Sequence, residues 1–156
     1  MYTLYYFPDA CSLATQVVLH ELNQDVEIIN VQKMEDFSAI NPVATVPFLV
    51  NKATGTSRRE GAAIMLQLLN KHENTMLPTN GDSRDQAIQD ILFANATMHP
   101  AYSRLFFIAQ QIDDEQTQKK AYETAAAGIS NLWKIVEDQL AIQKFLGGDQ
   151  PSAADI

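Results

Sequence analysis

Cysteine is nearly absent. Cys11 stands alone, so no internal disulfide can form, and such usage suits a reducing compartment. Basic residues are also scarce. Eleven Lys and Arg against nineteen Asp and Glu leave a formal charge of −8 at pH 7. That balance argues against nucleic acid and anionic membrane as partners, because both require basic patches. A small anionic ligand is still admissible, since a helix N-terminus alone can hold one. No basic segment followed by an apolar run opens the chain, so no signal peptide is expected. No apolar run approaches the length of a membrane span. Three His and one Cys at no ligand-like spacing give no expectation of a metal site. What remains is 156 residues, 46% hydrophobic and 19% charged, ordinary for a soluble globular protein of one domain or two small ones. The expected setting is cytoplasmic.

The rest of the chain is organised around residues 3–22. Leu4 to Phe7 are aromatic and branched, which suits a buried strand. Pro8 ends the ladder, and Asp9-Ala10 fit a turn. Ser12 is the expected N-cap of a helix on which Leu13, Val17, Val18 and Leu22 keep helical spacing. Cys11 then lies in the first turn, where unpaired N–H groups and the helix dipole favour a thiolate. A buried, inert cysteine is the competing expectation.

Residues 26–31 form a second strand, parallel to the first through the joining helix. A polar stretch, 33–40, leads to Asn41-Pro42 and Val46-Pro47, which bracket a turn. Phe48 to Val50 is a third strand, Asn51 to Gly55 a hairpin turn, and Thr56 to Arg59 a polar fourth strand. Glu60-Gly61 opens a helix with Ile64, Met65, Leu68 and Leu69 on one face. A βαβ half followed by a hairpin and helix is the thioredoxin-like layout. Pro78, Asn80, Gly81 and Asp82 mark a linker. Everything beyond it is expected to be helical. One helix presents Ala87, Ile88, Ile91, Leu92, Asn95 and Met98; Pro100 bends or interrupts it, and Leu105 to Ile108 continue its apolar surface. Asp113 to Glu115 start another, with Tyr122, Ala126, Ile129, Trp133, Val136 and Leu140 on one side. The domains are therefore 1–74, a linker over 75–82, and an all-helical 83–156. Ser152-Ala-Ala-Asp155 has capping-box spacing, so further helices are expected to follow in the natural protein.

In order and spacing, the chain resembles the glutathione S-transferases, most closely the bacterial beta class, with the final helices missing. The matching pieces are Tyr6 through Ala10-Cys11-Ser12, Asn41-Pro42 to Val46-Pro47, Glu60-Gly61-Ala-Ala-Ile64, Met98-His99, and Ser152-Ala-Ala-Asp155-Ile156. The resemblance implies glutathione as co-substrate, a small hydrophobic electrophile, no metal, and a homodimer. It implies a cis Val46–Pro47 bond, with Val46 offering its backbone to the ligand's cysteinyl unit. Glu60 and Gly61 would receive the γ-glutamyl head, and His99 would reach the ligand from the helical domain. Cys11 would stabilise the ligand thiolate or exchange with it, and Ser12 would hydrogen-bond the same sulfur or cap the helix. Tyr6, on the strand before, is a ligand contact or a core aromatic. Three departures bear on affinity. Pro100 stands where the class often has lysine, Leu92 where a polar residue is common, and Arg58-Arg59 where an apolar and a small hydroxyl residue are usual. The implied function is conjugation of glutathione. The alternatives are glutathione-dependent thiol–disulfide exchange at Cys11, or a non-catalytic binding protein of the same fold.

Overall fold

The central strand, β1 (Tyr2–Tyr6), pairs in parallel with β2 (Val26–Asn30) and antiparallel with β3 (Phe48–Asn51). The short β4 (Ser57–Arg59) completes a mixed sheet of order β2-β1-β3-β4. Helix α1 (Ser12–Glu21) crosses over from β1 to β2, and α2 (Gly61–Lys71) follows β4. This is the thioredoxin-like arrangement expected from the sequence. The computed structural model describes residues 1–156 and divides into two compact units, Met1–Pro78 together with Ile156, and Thr79–Asp155.

Strand alternation builds two cores in the first unit. Leu4 lies opposite Leu49, and both are buried along with Val18 and Leu19 of α1 and Ile64 and Leu68 of α2. Each such side chain contributes about 1.5–3 kcal/mol when fully buried. Tyr5 lies opposite Phe48, and with Phe37 these form an aromatic cluster with centroids 5.5 to 6.2 Å apart. The hairpin closes by Asn51 N–H to Thr56 C=O at 2.8 Å and Gly55 N–H to Asn51 C=O at 2.8 Å.

Two local expectations are corrected. The first strand runs from Tyr2 rather than Leu4, because its pairing with β3 begins at Tyr2 opposite Asn51, and Phe7 lies outside it, exposed. The residue capping α1 is Cys11, not Ser12, and Cys11 makes no side-chain cap bond. Ser12, Thr15, Val18 and Leu19 form the buried face of the helix, while Leu13 is 60% exposed. The inward pull on Ser12 comes from its hydrogen bonds to Phe7, described below.

The second unit contains α3 (Gly81–Phe93), a π-helical turn (Ala94–Met98), α4 (His99–Gln111) and α5 (Glu115–Leu140). The regular α-helix is interrupted just ahead of Pro100, although the backbone stays helical. Ala94 and His99 keep helical dihedrals, −60°/−47° and −58°/−47°. One wide turn re-phases the helix ahead of a residue that has no N–H to give. Ile91 and Met98 are buried as their spacing requires, but Leu92, Phe106 and Phe107 are exposed. Helix α5 starts where the acidic residues predict: the Asp114 carboxylate accepts Thr117 N–H at 2.8 Å, a bond that holds its pKa below the usual value. Trp133 Nε1–H donates to the Tyr102 hydroxyl at 2.7 Å. Near the end of the chain the Asp155 carboxylate gathers Ser152 N–H (2.7 Å), Ser152 O–H (2.9 Å) and Leu146 N–H (2.8 Å) around a short 3-10 turn. The Ser152 hydroxyl in turn accepts Ala154 N–H at 3.2 Å, an arrangement like a capping box. No helix is long and apolar enough to cross a membrane.

Candidate functional site

Three backbone features of the first unit meet at one end of its sheet. The first is the loop into α1. Ser12 is fully buried; its hydroxyl donates to Phe7 C=O at 3.2 Å and accepts Phe7 N–H at 3.3 Å. This two-way tie closes the loop and sets the position of Cys11, whose S–H donates to Val46 C=O at 3.3 Å.

The second is the irregular segment before β3, organised by Asn41. This residue is fully buried, yet every polar group it has is used. Its side-chain amide donates to Thr45 C=O at 2.9 Å, and its carbonyl side-chain oxygen accepts Val43 N–H at 3.4 Å. Its backbone N–H donates to Phe37 C=O at 2.9 Å and its C=O accepts Ala44 N–H at 2.7 Å. A buried polar hub satisfied in this way fixes a loop in one conformation. It delivers Val46 and Pro47 to the start of β3, with the Val46–Pro47 bond cis as the resemblance implies. The Val46 N–H has no acceptor within the protein.

The third is the start of α2. Arg59 lies opposite Phe48 in the antiparallel β3–β4 ladder, so Glu60, one residue on, comes beside Pro47, one residue back. Glu60 caps α2 with φ 71° and ψ 114°, a backbone region that L-residues rarely enter, and its carboxylate makes no cap bond. Ile64 N–H takes Glu60 C=O at 3.0 Å, which leaves the N–H groups of Gly61, Ala62 and Ala63 open to an anion.

The electrostatics of Cys11 correct the expectation of a favoured thiolate. Desolvation of the sulfur pushes the thiol pKa up, outweighing the lowering by the N–H groups of Cys11 and Ser12. Donation to the Val46 carbonyl also favours the protonated form. The residue as a whole is exposed, but its sulfur is turned onto Val46. The protonated thiol is therefore the favoured form, with its sulfur against Val46.

The structure thus brings Cys11, Ser12, Val46, Pro47, Glu60 and Gly61 into one neighbourhood, with Tyr6 half-buried at the end of the strand that leads there. His99 lies in the second unit as the exposed first residue of α4, its carbonyl accepting the Ser103 hydroxyl at 3.3 Å. Arg58 and Arg59 are exposed on the edge strand, and the Arg58 guanidinium donates to Ser57 C=O at 2.8 Å. No three His, Cys, Asp or Glu side chains come together to hold a metal. The residue that sequence reasoning left without a role is Asn41. An Asn ahead of Pro, where a side chain can satisfy a turn's own backbone, was the available signal.

Residues 4–76 match the family model described as the glutathione S-transferase N-terminal domain. The chain is 28% identical over 158 residues to glutathione S-transferase GST-4.5 of Xanthomonas campestris, covering 97% of this chain and 76% of that one. A solved glutathione transferase from Methylococcus capsulatus superposes with a TM-score of 0.82 at 29% identity, covering 99% of this chain and 77% of that chain. The glutathione transferase URE2P6 of Phanerochaete chrysosporium, solved in complex with oxidised glutathione, shares the fold with a TM-score of 0.84 at 21% identity, covering 98% and 74%. The fold is that of the glutathione S-transferases, and these relatives support that family for the chain.

Proposed function

We propose, with the glutathione S-transferases as the supported family, that this chain is a beta-class glutathione transferase that activates the thiol of glutathione for attack on a small hydrophobic electrophile. The observation that carries the reading is the meeting of Cys11, the unpaired Val46 N–H and the open start of α2 in one unit. Each feature answers one part of a γ-glutamyl thiol tripeptide. The Glu60 carboxylate suits the ligand's ammonium group, and the α2 N–H groups suit the neighbouring carboxylate. The Val46 N–H and C=O suit the backbone of the cysteinyl unit. The S–H of Cys11, kept protonated, would turn from the Val46 carbonyl to donate to the ligand's sulfur; stabilising that sulfur as thiolate lowers its pKa and readies it as nucleophile. The thiolate then forms a C–S bond with the electrophile as the leaving group departs. Ser12 acts by positioning the loop that carries Cys11. His99, which follows a π-helical turn, is kept as a proposed ligand contact on the family resemblance. The family pattern further supports a homodimer and a cytoplasmic setting.

Thiol–disulfide exchange at Cys11 is the second reading, and the raised thiol pKa weighs against it, since exchange needs the thiolate. Calorimetry with glutathione decides first: binding at about millimolar or tighter concentration is expected. No heat of binding would sink both enzymatic readings. Turnover of an aromatic electrophile in Cys11→Ala then separates an assisting thiol, which leaves activity reduced but present, from an exchanging one. Binding without turnover in the unmodified protein would mark a non-catalytic member of the fold.

A further inference from the structure

We propose that Asn80 is a covalent modification site, a position where the chain converts its own amide to a carboxylate or an isoaspartyl linkage. Asn80 is the one asparagine followed by glycine, and glycine places no side chain in the way of its own nitrogen. Of the other asparagines, Asn30, Asn41, Asn51, Asn74 and Asn95 engage their side chains in hydrogen bonds to nearby backbone, Asn70 and Asn131 lie inside α2 and α5, and the exposed Asn23 is followed by Gln24, whose side chain hinders attack by its nitrogen. Asn80 is exposed, and although it stands at the cap of α3 its side chain makes no cap bond.

The backbone favours the same chemistry. Gly81 N–H gives no hydrogen bond, so its nitrogen is not committed elsewhere. Asn80 has ψ 177°, beyond the usual strand value and turned toward the eclipsed arrangement that brings the following nitrogen to the side chain. Rotation to that arrangement releases the Ser83 hydroxyl from Asn80 C=O, a long contact at 3.4 Å at a helix end, where fraying is ordinary. In the reaction the Gly81 nitrogen attacks Asn80 Cγ, a C–N bond forms, and the side-chain nitrogen leaves as ammonia, carrying the displaced proton. The five-membered imide is then opened by water at either of its two carbonyls. Opening at one gives an aspartyl residue; opening at the other moves the main chain onto Cγ and inserts a methylene. Overall, water replaces ammonia and no oxidant or reductant is needed. The new carboxylate stands at the positive end of the 13-residue α3, where an anion is favoured.

The test ages the full folded chain in mildly alkaline buffer and maps peptides by mass spectrometry, with isoaspartyl groups labelled by an isoaspartyl-specific methyltransferase. A synthetic peptide of residues 77–84 is aged in parallel. The expected result is label confined to the peptide containing position 80, accumulating at a rate close to the synthetic peptide's, and absent in Asn80→Gln. Two results would overturn the proposal. One is faster deamidation at another asparagine. The other is a folded-state rate more than about tenfold below the peptide's, roughly 1.4 kcal/mol of added barrier, showing that α3 holds the site closed.

Discussion

Glu60 sits in a backbone conformation that costs stability and carries the side chain on which the proposed ligand contact depends. A non-glycine residue in so sparsely populated a region costs about 1–3 kcal/mol. Glu60→Gly removes that strain but loosens the unfolded chain, which costs about 0.4–1 kcal/mol. The carboxylate makes no cap hydrogen bond, so no such bond is lost. The net expectation is a gain on the order of 1 kcal/mol, or roughly 2–4 °C in Tm for a chain of this length. The same substitution deletes the partner of the ligand's ammonium. A hydrogen bond to a charged group is worth about 1.5–3 kcal/mol, so glutathione should bind roughly ten- to a hundredfold more weakly. Glu60→Gln separates the two effects, since it keeps the strained backbone and removes only the charge. Its Tm should match the parent while its affinity falls. Urea melts and calorimetry on the three proteins provide the test. A Glu60→Gly variant less stable than Glu60→Gln would refute the strain argument. Unchanged affinity in Glu60→Gln would refute the ammonium pairing.

Three further outcomes follow from the geometry. Cys11 should alkylate more slowly than a free thiol at neutral pH, because its pKa is raised, and its rate should climb only above the ordinary cysteine range; stopped alkylation sampled across pH reads this directly. Gly147→Ala should destabilise by about 1–3 kcal/mol, since the new Cβ would stand 2.5 Å from Gln150 C=O and 2.7 Å from Ser152 Cβ, and denaturant unfolding checks it. Asp155 is partly desolvated, which raises its pKa, but the N–H groups of Ser152, Leu146 and Gly147 and the Ser152 hydroxyl together hold it below the usual value. Its contribution is therefore present above the unfolded carboxylate range and is lost as pH falls through the folded pKa. The stability gap between the parent and Asp155→Asn should be open at neutral pH and close in acid; a gap independent of pH would exclude this charge as its source.

Regular elements were legible because their signals are local. The period-two run through Leu4, the i, i+4 pairs Ile64–Leu68 and Met65–Leu69, and the Asp114 start of α5 each state their structure within a few residues. The errors arose where a distant partner decides. Apolar spacing assigned Leu13 to the inner face of α1, but the Ser12–Phe7 tie rotates that face inward at Ser12 and Thr15. Leu105 to Ile108 read as a continued apolar surface, of which Ile108 is buried while Phe106 and Phe107 are exposed. The site was legible as a set of positions, Cys11, Val46 and Glu60, because motif order survives in sequence. Its electrostatics were not. Cys11 stands at a helix tip, which alone would favour a thiolate, and desolvation of its sulfur, turned onto the Val46 carbonyl 35 residues away, reverses that preference.

The lone tryptophan gives the molecule a built-in witness. Trp133 is half exposed, hydrogen-bonded to Tyr102, and both residues belong to the same all-helical unit. Indole emission therefore follows the melting of that unit and is blind to the sheet, while circular dichroism follows both. If the halves come apart separately, the two optical signals will part company along a denaturant titration; if they melt as one, the curves will overlay.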